Sequence, residues 1–115
     1  MDFSYSKQEQ IGIYTLKGNL IGETDGIPIT ESFSEQLEVG THHFVIDLSD
    51  LQHINSSGLG VLITLLTKAR KVGGEVTLSS PSSYINNLLL ITKLNTIFQI
   101  HSTTEEAINS YGEQA

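Results

Sequence analysis

Asn55-Ser56-Ser57-Gly58 sets two hydroxyls and an amide side by side where one apolar period gives way to another. Upstream, Phe44-Val45-Ile46-Asp47-Leu48 is a short β-branched and aromatic run suited to a central strand, and from Leu59 the apolar residues fall at helical spacing. Three kinds of chemistry are open to such a strand-to-helix junction. Asn55 or Ser56 can act only as an N-cap, accepting from the free N–H groups of the first turn, while Gly58 lets the chain turn tightly. Those N–H groups and the helix dipole can hold an anion, although neither a G-x-x-x-x-G-K-[ST] loop nor a G-x-G-x-x-G fingerprint is present. A serine can also be phosphorylated here, because the same dipole stabilises the added phosphate without unfolding the domain.

The rest of the chain offers little competing chemistry. Its four histidines, His42, His43, His53 and His101, include no i, i+4 pair, and there is no cysteine to complete a ligand set, so no metal site is expected. His42 and His43 are also poor joint ligands, since neighbouring strand residues point to opposite faces. There is no nucleophile elbow, no phosphate loop and no carboxylate pair in a recognisable frame. No catalytic residue and no cofactor is therefore assigned, and the chain reads as a binding switch, not an enzyme.

The elements that must position the junction follow from periodicity. Residues 3–6 alternate as a first strand, Glu9-Gln10 make the turn, and residues 11–16 alternate again as the second arm of a hairpin. Tyr5 and Tyr14 on those strands are packing residues. Gly18, Gly22, Gly26 and Pro28 mark residues 18–28 as loop. A helix is expected over 29–39, with Phe33 and Leu37 inward, Glu31, Glu35 and Glu38 on a solvated face, and Gly40 as a left-handed cap. The helix over 58–72 carries Val61 or Leu62, Leu65, Leu66, Ala69 and Val72 toward the core. Lys68, Arg70 and Lys71 near its end complement the dipole.

Gly73-Gly74 ends that helix and residues 75–79 form the next strand, which implies a parallel crossover. After the Ser80-Pro81 turn a helix over 82–92 contains Leu88-Leu89-Leu90-Ile91, more apolar than one buried face requires. The surplus could serve a partner or a homodimer, or be buried under the following segment. Residues 96–100 read as an edge strand, and residues 103–111 as a last helix with Thr103 and Glu106 as a capping box. This order predicts an α/β domain spanning 1–115: one mixed sheet of about five strands packed with about four helices.

Ile46-Asp47-Leu48-Ser49-Asp50-Leu51, followed by Ile54-Asn55-Ser56-Ser57-Gly58-Leu59-Gly60-Val61-Leu62, resembles the signature of STAS domains, the fold of bacterial anti-sigma factor antagonists. The likeness continues through Gly73-Gly74-Glu75-Val76, the Ser80-Pro81 turn and residues 94–98. It implies an antagonist that binds an anti-sigma factor serine kinase, releases the sigma factor, and is switched off by phosphorylation of Ser56. Asn55, Ser56, Ser57, Gly58 and Leu59 would then be the partner-binding residues, and a PP2C-type phosphatase the resetting partner. Two positions depart from the family pattern. Asn55 stands where an acidic residue is usual, and Ile21 follows Gly18-Asn19-Leu20 where the family often has Asp, with Glu23 and Asp25 just beyond. The alternative that these departures favour is a non-switching STAS subunit or scaffold, such as the small cytoplasmic partner of a lipid-transport ATPase.

Composition narrows the partners. Thirteen acidic against six basic residues give a formal charge of −7, which repels phosphate backbones and anionic lipid surfaces, so direct nucleic-acid binding is not expected. No apolar run approaches the ~18 residues a membrane span needs, no basic-then-apolar leader opens the sequence, and cysteine is absent. The reading is a cytoplasmic chain with no membrane insertion.

Overall fold

The computed structural model describes residues 1–22 and 24–113. Two strands, β1 (Asp2–Gln8) and β2 (Ile11–Leu20), form an antiparallel hairpin. Both turn residues, Glu9 and Gln10, have positive φ (52° and 73°), as a two-residue hairpin loop requires. Helix α1 (Ile27–Glu38) leads to β3 (His43–Ile54), then α2 (Ser56–Lys71), β4 (Glu75–Ser79), α3 (Ser83–Ile91), β5 (Ile100–His101) and α4 (Thr104–Glu113). The sheet order is β1-β2-β3-β4-β5, with all pairs after the first hairpin parallel. This is the mixed five-stranded sheet with four helices that the sequence predicts.

Each face of the sheet has its own core. On one face α1, α2 and α3 bury Tyr14, Leu16, Phe44, Ile46, Leu48 and Leu78 together with Phe33, Leu62, Leu65 and Ile85. Tyr14 sits at the centre of an aromatic group, 4.7 Å from Tyr5 and 6.1 Å from Phe33 by ring centroids, and its hydroxyl meets Ser32 Oγ at 2.8 Å. The other face is smaller: Ile11, Ile13 and Val45 meet Ala107 and Ile108 of α4. There Tyr111 Oη donates to the Phe44 carbonyl at 2.7 Å and accepts from Thr77 Oγ1 at 2.9 Å, fastening α4 across two strands. Burial pushes both phenols up, Tyr14 to about 12 and Tyr111 to about 12, because the phenolate would lose its hydration.

Several details differ from the sequence reading: β3 runs well past Leu48 to Ile54, and α2 starts at Ser56 and not at Gly58. β2 does not stop at Leu16 but runs to Leu20, because register shifts on either side of Lys17 and Gly18 (φ 89°) let Lys17–Leu20 keep pairing with the far half of β3. α1 starts at Ile27, with Pro28 in its first turn, where the missing N–H costs nothing. The expected edge strand over 96–100 shrinks to Ile100–His101: Lys93 turns left-handed (φ 61°), and the amides of Thr96, Ile97 and Phe98 return to Lys93 and Leu94 carbonyls. Val72 follows α2 as its C-cap and is exposed, not part of the buried stripe.

Candidate functional site

The two extended strands matter because they deliver their ends to the start of α2. Asn55, the single residue between β3 and α2, is extended (φ −115°, ψ −175°), and its Oδ1 accepts from the Gly58 N–H at 2.9 Å. This is an N-cap, with Leu59 N–H donating to the Asn55 carbonyl at 2.9 Å as the first helical bond. The same Oδ1 accepts from the Gly22 N–H at 3.4 Å, which ties the loop after β2 to the helix start. Asp25 Oδ2 in turn accepts from the Ile21 N–H at 3.0 Å and holds that loop from its other end.

Position 58 admits no side chain. A Cβ there would run into the Leu20 carbonyl oxygen and come within 2.7 Å of Ile54 Cγ1. The first turn of α2 is thus seated on the ends of β2 and β3, and the Asn55 N–H donates to that same Leu20 carbonyl at 3.4 Å. Ser56 and Ser57 stand in the first turn, exposed, while Gly58 and Leu59 are buried. Of the five residues expected to meet a partner, Asn55, Ser56 and Ser57 therefore carry the surface, and Gly58 and Leu59 carry the packing beneath it.

The electrostatics of this end are simple. No acidic residue lies in the first turn of α2, whereas Lys68, Arg70 and Lys71 lie in its last. The amides of Ser56 and Ser57 have no earlier turn to donate to, so the positive end of the dipole faces outward beside two hydroxyls. The helix dipole at this end favours a phosphate or carboxylate. Ile21, at the position where an acid is usual in the resembling family, is 48% exposed; Glu23 lies outside the described residues.

The histidines stay apart from this site or act in packing. The His53 ring meets Tyr84 edge-on at 6.0 Å and the His43 ring meets Tyr111 at 5.2 Å, and among the described residues no cluster of three potential ligands forms. A concavity of about 730 Å³ lies elsewhere, lined by Asn86, Leu90, Phe98, Gln99 and His101. A second, of about 470 Å³, opens between α1 and α2 and reaches Ser57. Sequence reasoning missed this cleft. Its one visible signal was Gly60, a glycine inside a helix.

The STAS domain family model matches residues 2–107. The chain belongs to the STAS domain family. A Thermotoga neapolitana protein named as a candidate anti-sigma factor antagonist is 37% identical over 76 residues, which span 66% of this chain and 67% of that protein. Among solved structures, a protein of the same description from Thermotoga maritima superposes with a TM-score of 0.86 at 26% identity, covering 94% of this chain and 92% of that one. The Bacillus cell fate determinant SpoIIAA in its phosphorylated form superposes with a TM-score of 0.76 at 20% identity, covering 96% and 99%, a likeness of fold. Among the described residues of this STAS domain, no helix is long and apolar enough to cross a membrane.

Proposed function

We propose that this STAS domain is an anti-sigma factor antagonist whose docking surface centres on Ser56 and whose activity is switched by phosphorylation there. The observation that carries the reading is the exposed Ser56 in the first turn of a 16-residue helix, a turn that contains no acidic residue. In the unmodified state the neutral Asn55-Ser56-Ser57 surface docks on an anti-sigma factor that is also a serine kinase, and the sigma factor is released. The kinase then directs Ser56 Oγ at the γ-phosphorus of ATP; the new O–P bond forms as the bond to ADP breaks, and the hydroxyl proton passes to a base of the kinase.

The product carries a charge of about −1.5 to −2 at neutral pH. Within this chain the dipole stabilises that charge, so the fold persists. Across the interface it replaces a neutral contact with a desolvated, unpaired charge, and the complex comes apart. A PP2C-type phosphatase resets the switch by hydrolysing the phosphoserine. The STAS family assignment and relatives named for anti-sigma antagonism support this reading.

The test is direct. Incubation with the cognate kinase and ATP should add one phosphate, located on Ser56 by peptide mass spectrometry, and Ser56→Ala should abolish it. Phosphate on Ser57 would move the acceptor by one residue, and no phosphate on a chain that still binds a transporter ATPase would favour the non-switching subunit that Asn55 and Ile21 allow.

A further inference from the structure

Gly60 is a residue without a structural reason. Its φ is not in the left-handed region, and a Cβ built on it meets no atom within 4 Å. Gly26 and Gly58 are different: a Cβ on Gly26 would collide with Val61, and one on Gly58 with Leu20 and Ile54. A glycine inside a helix costs about 0.5–1 kcal/mol relative to alanine, so α2 gives up stability at Gly60 for something other than packing. What Gly60 does is leave open the floor of the 470 Å³ cleft between α1 and α2.

The cleft is built for an apolar occupant. Ile27, 52% exposed, and the half-buried Val61 form its walls. Its threonine hydroxyls are already used, Thr30 Oγ1 donating to the Gly26 carbonyl at 2.8 Å and Thr64 Oγ1 to the Gly60 carbonyl at 3.0 Å. Their donor hydrogens are spent on those carbonyls, so they offer an occupant acceptor lone pairs only. Glu31 stands at the rim, with Glu35 and Glu38 farther along α1 and no basic residue in that helix's last turn, in a chain of formal charge −7. The cleft is also continuous with the junction, since Ser57 belongs to both.

We infer that this cleft is a specificity pocket of the Ser56 docking surface, which receives one apolar side chain of the anti-sigma factor from a segment that sets a basic residue against Glu31. The inference rests on the function proposed above and adds to it the side-chain chemistry by which the partner is chosen. Gly60→Leu sends a side chain from a cleft-lining position where a Cβ meets no atom within 4 Å. Isothermal titration of the recombinant anti-sigma factor kinase, loaded with ADP, should show Gly60→Leu weakened about thirtyfold or more, Gly60→Ala weakened less, and melting temperatures equal to or above wild type. Glu31→Lys should weaken binding several-fold, by an amount that shrinks with added salt.

If Gly60→Leu fails to fold, Thr64→Leu, exposed one turn further along, supplies the same block. Wild-type affinity in a folded Gly60→Leu or Thr64→Leu variant would overturn the pocket while leaving the Ser56 reading intact. A wild-type chain that neither binds the kinase nor is phosphorylated by it would instead overturn the function itself. Loss of self-association in sedimentation, with kinase affinity kept, would give the cleft to a second copy of this chain and also overturn the inference.

Discussion

The two ends of α2 are packed alike and charged differently. At the C-terminal end, Arg70 Nε lies 3.2 Å from Glu75 Oε1, Arg70 Nη2 donates to the Ile97 carbonyl at 3.0 Å, and the Gly74 N–H returns to the Ala69 carbonyl at 2.8 Å. Positive side chains and returning amides satisfy the negative end of the dipole from within the chain. At the N-terminal end Asn55 alone, among the described residues, answers the free amides, and no acidic side chain joins it in the first turn. Steric closeness is shared: Gly58 is pressed against Leu20, and Gly74 against the His42 carbonyl. The start of the helix is thus held by shape and left open in charge, which suits a group that gains its negative charge from outside.

Several substitutions can break or sharpen that contrast. The largest effect belongs to the steric half. Gly58→Ala forces its methyl into the Leu20 backbone, and should cost about 3 kcal/mol or more in chemical denaturation. Gly60→Ala, two residues on, should gain roughly 0.5–1 kcal/mol. A tolerated Gly58→Ala would mean that the seat of α2 on β2 is looser than drawn.

The sheet beneath both ends sets a common baseline, legible in pH. Tyr14 and Tyr111 each bind their proton up to about 12 when folded against an ordinary value of 10.0. The unfolded chain releases those protons first, so their contribution is complete below pH 10 and is lost as pH rises through 12. The slope is about 1.4 kcal/mol per pH unit for each tyrosine. Tyr14→Phe should remove its share of that slope, and an unchanged profile would contradict its burial.

Smaller effects separate the two ends themselves. Asn55→Ala removes the cap and the link to Gly22, and should cost about 1 kcal/mol. Arg70→Ala breaks an exposed pair and should cost about 0.5 kcal/mol or less, read from the same melts. Asn55→Asp keeps the cap, so stability should hardly change, while phosphorylation by the cognate kinase should speed up if the acidic residue usual in the family serves the kinase and not the fold. An equal rate would make Asn55 a neutral departure.

The legible parts of the sequence were those where local chemistry and burial agree. β4 was readable, and the cap of α2 was narrowed to Asn55 or Ser56 with Asn55 taking it, because alternation, cap type and glycine punctuation all pointed one way, whereas Ser82, read as the first residue of α3, is its cap. The capping box at α4 was half right: Thr103 Oγ1 accepts from the Glu106 N–H at 3.1 Å. The missed parts depend on partners distant in sequence. Nothing near Lys17–Leu20 announces a strand, since those residues pair only because β3 runs alongside with compensating register shifts. The Thr96–Ile100 run looked like a strand by composition, but the left-handed Lys93 turns its amides inward. Of the candidate site, the junction was visible in four consecutive residues, whereas the cleft beside it needs α1 and α2 to be brought together before Gly60 has a meaning.

The central claim is that the start of α2 tolerates negative charge in the fold and not in the complex. Ser56→Asp tests both halves in one protein. Thermal denaturation should place its stability within about 1 kcal/mol of wild type, because the dipole accepts the carboxylate. Isothermal titration against the anti-sigma factor kinase should show a loss of roughly 2 to 5 kcal/mol, an affinity about thirtyfold weaker or more. A folded Ser56→Asp chain that binds the kinase as tightly as wild type would contradict the account.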